Sequence, residues 1–490
     1  MKKVFIYTLT VAFAAGILSG CKKLLDVTPR SSITEATYFK SEGDFEPYVV
    51  GIYTFMRTFQ NNVTYGMERG EELISASNSR FSVAWAQNLS ASSGAINYND
   101  WYRAIGHCNL LLSKIGDFQF TLNPDHKPLI IAEAYALRGF FYFHLTRIIG
   151  DAPLMLQPVV DENVPLLPRS PAADVIKQIN SDLDSAILLF KSVASNDIYS
   201  YPSKYRFAYG STQALKADVK LWSAKVLGGG SQDFNDAIAA INEVEKTGVS
   251  LNADFANVTG VKASSNDEDI LAAYYNRDET GNNYVVNAFP FINIVEGALN
   301  IDSIPYTQSS ATGQGAYQMS DESKALFSAH PEDKRIPWTW VTEMQADGPK
   351  VSWITKYRGN IYADGRVPDN DLIMYRLADI YLMKAEAYAG LSDINNAVAY
   401  LNKVRQRAGI GDYAGVMDKQ NVEKEILDER GRELYFENKR WYDLVRFHYG
   451  GTIDVYNYVP NLKGKTTPLF WPLNTTVLGN NDQLTQTEGY

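Results

Sequence analysis

Apolar positions recur at helical spacing through most of the first half of the chain. Residues 42–59, 174–190, 212–227 and 233–246 each predict an amphipathic helix. The stretch IIAEAYALRGFFYFHLTRIIG, residues 130–150, is apolar on nearly every face and reads as a buried helix, closed by Gly150 and Pro153. WYRAIGHCNLLLSKI, which holds Cys108, is a further amphipathic stretch, and its thiol reads as buried and inert.

Two places carry the pattern of a helix pair. In residues 376–409, Ala385, Tyr388, Ala397 and Leu401 fall on the small and large positions of a tetratricopeptide unit, where small residues let two helices approach. Residues 214–248 repeat this more loosely, with Ala224 and Ala237 about a Gly-rich turn. Between about 249 and 370 the periodicity stops, and Asn, Gly, Ser, Thr and aromatics take over. There Trp338 and Trp340 alternate at strand spacing, and Asp347-Gly348-Pro349 supplies a turn, which predicts a small β-hairpin. The fold class is mainly α: tetratricopeptide-like helix pairs with a loop-rich insert and one hairpin.

The stretch ERGRELYFENKRWYDLVRF, residues 429–447, sets Glu429, Glu433 and Glu437 four residues apart. On one continuous helix they share a face, which suits an acid/base pair, two metal ligands or structural ion pairing. Leu427, Leu434, Trp441 and Val445 form an apolar stripe beside them. Arg430 with Glu433, Glu437 with Arg440 and Lys439 with Asp443 have the spacing of surface ion pairs, worth ~0.2–0.5 kcal/mol each when exposed. The interleaved arginines hold such carboxylates ionised, which argues against acid/base work.

The N-terminus changes the picture most. Lys2 and Lys3 precede an apolar run, residues 4–18, too short to span a bilayer but of signal-peptide length. Leu18-Ser19-Gly20-Cys21 then resembles a bacterial lipobox, in which the cysteine becomes the acylated N-terminus. That reading makes 1–20 a leader and Cys21 a lipid anchor, tethering a single domain, 21–490, to a bilayer. Its helical scaffold covers about 40–248 and 371–448, with the insert at about 249–370. Only Cys108 remains as a thiol, so no intrachain disulfide forms. The formal net charge of −10, without any basic run, excludes a nucleic-acid partner. Aromatics reach 12%, with 31 Tyr and 8 Trp, which suits a large core and also recognition by flat rings.

Four stretches together resemble the SusD/RagB family of outer-membrane nutrient-binding lipoproteins. They are the lipobox, AEAYALRGFFYFHLTRIIGDAPLM, DERGRELYFENKRWYDLVRF and the ending PLFWPLNTTVLGNNDQLTQTEGY, in the family's order from Cys21 to Tyr490. Gly431 stands where the family often has a second arginine, and Thr487-Glu488 where Gln-Asn is frequent. The resemblance implies anchoring in the outer membrane with display at the cell surface. It also implies an oligosaccharide ligand and a SusC-like TonB-dependent transporter as partner. Some relatives handle peptides, so a RagB-like peptide-uptake protein is an alternative.

The family has no universal ligand motif, so site candidates rest on what sugars require: aromatic planes flanked by groups able to make several hydrogen bonds. The polar segment 68–101 supplies Trp85 with Arg80, Asn88, Glu71 and Glu72. Tyr284 and Phe289 in the insert are second candidates, and Trp338, Trp340 and Trp353 read as hairpin packing. No two of the five histidines have metal-ligand spacing, and no nucleophile elbow or phosphate loop occurs, so neither a metal, a cofactor nor a catalytic group is expected. SSNDEDI near Asp267 lacks an ordered calcium pattern and reads as a solvated loop. The rivals are a surface glycan hydrolase, because two carboxylates can come from anywhere in a chain, and a pure protein-interaction scaffold.

Overall fold

The computed structural model describes residues 38–75, 82–159, 166–195, 197–279, 288–306 and 317–490. Ten helices of ten residues or more build its body. They are α1 (Phe45–Gln60), α2 (Asn99–Asp117), α3 (His126–Ile149), α4 (Ala172–Ser192), α5 (Tyr209–Val226), α6 (Gly230–Val244), α7 (Leu377–Gly390), α8 (Ile394–Ala408), α9 (Lys419–Glu433) and α10 (Arg440–Tyr449). None of the described helices is long and apolar enough to cross a membrane.

Both predicted pairs form, as α5/α6 and α7/α8, and α3/α4 is a third. The pairs stack in series, α4 against α5 and α6 against α7. Ala237 and Ala397 are fully buried at these contacts, as the small positions require. Gly139 lets α4 come closer still, since a Cβ there would stand 3.2 Å from Leu183 Cδ2. The all-round apolar stretch is α3, buried along most of its length, and Cys108 on α2 is buried beside it.

The insert holds more sheet than one hairpin. Strands β4 (Trp340–Gln345) and β5 (Gly348–Ile354) turn where the Asp-Gly-Pro signal sits. Strand β5 pairs onward with β3 (Tyr317–Met319), and β3 with β1 (Leu73–Ser75), all antiparallel. A segment ahead of α2 is thus sewn to the insert. Trp338 does not alternate with Trp340: it lies on a helical turn, Ile336–Thr339, and β4 starts only at Trp340. Trp353 is buried and donates its indole N–H to Glu343 Oε2 at 2.8 Å, a packing role. Strands β2 (Asp269–Ala273) and β8 (Leu372–Arg376) pair across the base of the insert, and β6 (Asn360–Tyr362) pairs with β7 (Gly365–Val367).

Residues 429–447 are not one helix. The chain leaves α9 at Glu433 and enters α10 at Arg440, and Phe436 and Asn438 between them both have φ of 59°. This left-handed region suits Asn and is unusual for Phe, whose ring is fully buried and anchors the turn. Leu427, Leu434, Trp441 and Val445 are all buried, so the expected apolar stripe packs, though across two helices.

Candidate functional site

Glu429, Glu433 and Glu437 enter a buried ionic cluster, not a surface ladder. Arg335 donates to Glu429 at 2.6 Å, Glu433 at 2.9 Å and Asp333 at 2.7 Å. Arg376 donates to Glu433 Oε1 at 2.5 Å, Glu268 at 2.7 Å and Glu437 at 2.7 Å. Arg407 reaches Glu433 and Glu268, and Lys356 reaches Glu437 at 2.5 Å. The expected local pairs do not form. Arg430 bonds Asp443 and Asp379, Arg440 bonds Glu71, and Lys439 pairs with Asp379. These partners come from other elements, and all of them are buried.

Burial pushes the Glu429 carboxyl up, but Arg335 and Arg432 outweigh it and hold it down at about 2. Glu433 is likewise held well below its usual range against burial, by Arg407, Arg376 and Arg335. Glu437 is lowered by Arg376 and Lys356. Held toward the ionised form by these cations and fully enclosed, the carboxylates serve the structure.

Trp85 stands differently. Its indole is half-buried, and Nε1–H donates to Leu73 O at 2.8 Å, while its backbone N–H donates to Ser82 Oγ at 2.9 Å. Ser82 donates in turn to Glu68 Oε2 at 2.7 Å, and Tyr317 on β3 donates to Glu68 Oε1. The ring is thereby fixed against the β1/β3 edge with part of its surface in solvent. Asn88 is exposed three residues on, its Oδ1 accepting from Lys465 at 3.2 Å.

A buried arginine holds this corner from behind. Arg69 lies between the faces of Trp441 and Trp471, 4.3 and 4.8 Å from their centroids. It donates to Gln87 Oε1, Leu469 O and Pro468 O, each at 2.8 Å. Gln87 returns a bond to Arg69 O at 2.8 Å, and Thr467 donates to Gln87 O at 2.8 Å. The loop bearing Trp85 is thus stapled to the segment 465–469. Without a carboxylate partner among the described residues, Arg69 is pushed down by burial to about 10 and stays charged at neutral pH.

Of the other candidates, Glu72 and Phe289 are each only 2% exposed. Phe289 belongs to the core and offers no ring face to solvent. Burial raises the Glu72 carboxyl well above the usual carboxylate range, against the pull of Arg440, and encloses it away from any ligand. Arg80, Tyr284 and Cys21 lie outside the described residues. Asn266, Glu268 and Asp269 of the SSNDEDI segment are buried, not solvated, and Glu268 serves the ionic cluster. Among the described residues no group of three or more His, Cys, Asp or Glu is placed to hold a metal ion.

Two family models match separate parts of the chain: the SusD family over residues 349–490, and a starch-binding family associating with the outer membrane over residues 23–212. The chain belongs to the SusD/RagB family. SusD-like protein P25 of Formosa agariphila is 25% identical, over 93% of this chain and 91% of that protein. The starch-binding protein SusD of Bacteroides thetaiotaomicron is 28% identical over 35% of this chain and 31% of its own length. Among solved structures, NanU of B. fragilis matches with a TM-score of 0.78 at 27% identity, over 95% of this chain and all of that one. A SusD superfamily protein from Bacteroides vulgatus shares the fold with a TM-score of 0.79 at 23% identity, over 92% of this chain and 100% of its own.

The SusD-family match at the C-terminal end covers Arg376, Arg407, Glu429, Glu433 and Glu437 of the ionic cluster, and the N-terminal match covers Glu68, Arg69 and Trp85. Sequence reasoning missed Glu68, Tyr317 and Arg69. Tyr317 lies 249 positions from Glu68, a separation no local pattern spans. The dense charge of ERGEEL was the available signal: four charged residues in six read as solvated unless distant partners are known.

Proposed function

We propose that this SusD-family chain is a cell-surface lipoprotein that captures oligosaccharides and delivers them to a SusC-like TonB-dependent transporter. The mature domain is 21–490, held in the outer membrane through acylated Cys21. The observation that carries the reading is the Trp85 side chain, largely but not fully buried and fixed by its bond to Leu73, with exposed Asn88 three residues on. A pyranose presents an apolar C–H face that stacks on such a ring, while its hydroxyls take amide partners at the rim. Capture needs a rigid plane, because ordering a loose one on binding costs affinity. The Arg69–Gln87 staple supplies that rigidity.

The subunit binds without turnover and requires no cofactor. Its ionised carboxylates at Glu429, Glu433 and Glu437 are enclosed among arginines, which supports binding over hydrolysis. The test is a glycan panel with purified protein: saturable binding with no new reducing ends is expected. Released reducing ends would establish a hydrolase, and capture of peptides alone a RagB-like role.

A further inference from the structure

Away from Trp85, a cavity of about 590 Å³ opens between α2 and the segments following α3, a size typical of small-molecule sites. Tyr98, Tyr102 and Leu110 form one side, and Pro153, Met155 and Leu167 the other. The walls are tied at their backbone. Tyr102 donates to Pro153 O at 2.8 Å, Asn109 and Tyr142 donate to Met155 O at 2.8 and 2.9 Å, and Asn481 donates to Leu167 O at 3.0 Å. These bonds engage the Pro153, Met155 and Leu167 carbonyls, and the surface facing the interior is mainly apolar.

The charge lining it is unusual for so acidic a chain. No Asp or Glu is among the described lining residues, whereas the smaller cavities carry Glu133 and Asp197, Asp218 and Glu437, or Glu279. Among the described lining residues Arg103 on α2 is the one full charge. His107 is kept neutral at neutral pH by burial and by the Arg103 charge, with Nδ1 2.8 Å from Tyr48 OH. Arg103 bonds Asp100 at 2.9 Å with its side chain 66% exposed, a pair that water screens and an incoming anion can replace.

Gly106 gives the second independent observation. It sits on the cavity side of α2, in the middle of a 19-residue helix where glycine is costly relative to alanine. A Cβ built there meets nothing within 4 Å, so packing does not require the glycine. A side chain at this position would occupy the cavity.

We propose that this cavity is a second ligand site, for a small apolar carboxylic acid whose body lies over Gly106 between the two walls and whose carboxylate meets Arg103. Trp85 is not among its lining residues, so the site stands or falls independently of glycan capture.

The test is calorimetric titration of the full mature protein with dodecanoate, with dodecanol as the neutral comparison. Saturable dodecanoate binding is expected, with dodecanol weaker by about tenfold. Gly106→Leu, which fills the cavity, and Leu166→Glu, which sets an acid at its mouth on a residue 51% exposed, should each weaken dodecanoate by about tenfold or more. Arg103→Gln should remove the preference over dodecanol. Leu166→Glu changes only a surface position, so it keeps the test open if Gly106→Leu folds poorly. No binding of dodecanoate, or affinity unchanged in the variants, overturns the site. Equal affinity for dodecanol overturns the assignment of an acid.

Discussion

Arg376, the last residue of β8, and Glu433, the last residue of α9, are joined twice: Nη1 donates to Oε1 at 2.5 Å and Nη2 to the Glu433 carbonyl at 2.8 Å. One guanidinium therefore closes the C-terminus of a helix and fastens it to the base of the insert. Removing one partner of a buried pair strands the other charge, at a cost of ~3–5 kcal/mol. Arg376→Met should lower the unfolding free energy, measured by chemical denaturation, by that order. A loss under ~1 kcal/mol would show that the pair is dispensable.

The Glu429 carboxyl predicts a pH dependence with a definite sign. It titrates at about 2 when folded, against ~4.3 in an unfolded chain. Between those values the unfolded state binds more protons, so its stabilisation is full above about pH 4.5 and drains away as the pH falls toward 2. The stability difference between wild type and Glu429→Gln should be largest at neutral pH and shrink through this window. Chemical denaturation at a series of pH values measures it, and a constant difference contradicts the assignment.

Gly66 lies against the turn between α9 and α10. A Cβ there would overlap the side-chain and carbonyl oxygens of Asn438, whose left-handed backbone cannot easily yield. Gly66→Ala should destabilise by ~1–3 kcal/mol. Gly51→Ala, on α1 with nothing within 4 Å of the new methyl, should be neutral or stabilising by up to ~1 kcal/mol. Thermal unfolding of the two variants side by side checks the contrast.

Cys21→Ala should move the protein from the membrane fraction to the soluble one and abolish incorporation of labelled fatty acid. Persistent labelling would place the anchor elsewhere.

The helical frame was legible because periodicity is local. The buried stretch at 130–150 became α3, extended by a turn to His126, and the pairs at 214–248 and 376–409 formed. The α3/α4 pair was hidden by the long connection between its helices. The charges were not legible. Spacing assigns Glu437 to Arg440, but Arg440 turns to Glu71, 369 positions away, once the chain leaves its helix after Glu433 and turns through Phe436. The same holds for the candidate site. Trp85 was found as a ring in a polar loop, while the groups that fix it, Glu68, Tyr317 and Arg69, depend on contacts between distant segments. Phe289 shows the converse, an aromatic in a polar insert that the core takes up.

The central claim is capture of oligosaccharide on the Trp85 ring. Its most direct measurement is glycan affinity of wild type and Trp85→Ala, with the unfolding temperature of each recorded alongside. The account predicts a loss of about tenfold or more in affinity, with the unfolding temperature lowered by only a few degrees. Glycan affinity unchanged by Trp85→Ala in a folded protein would contradict it.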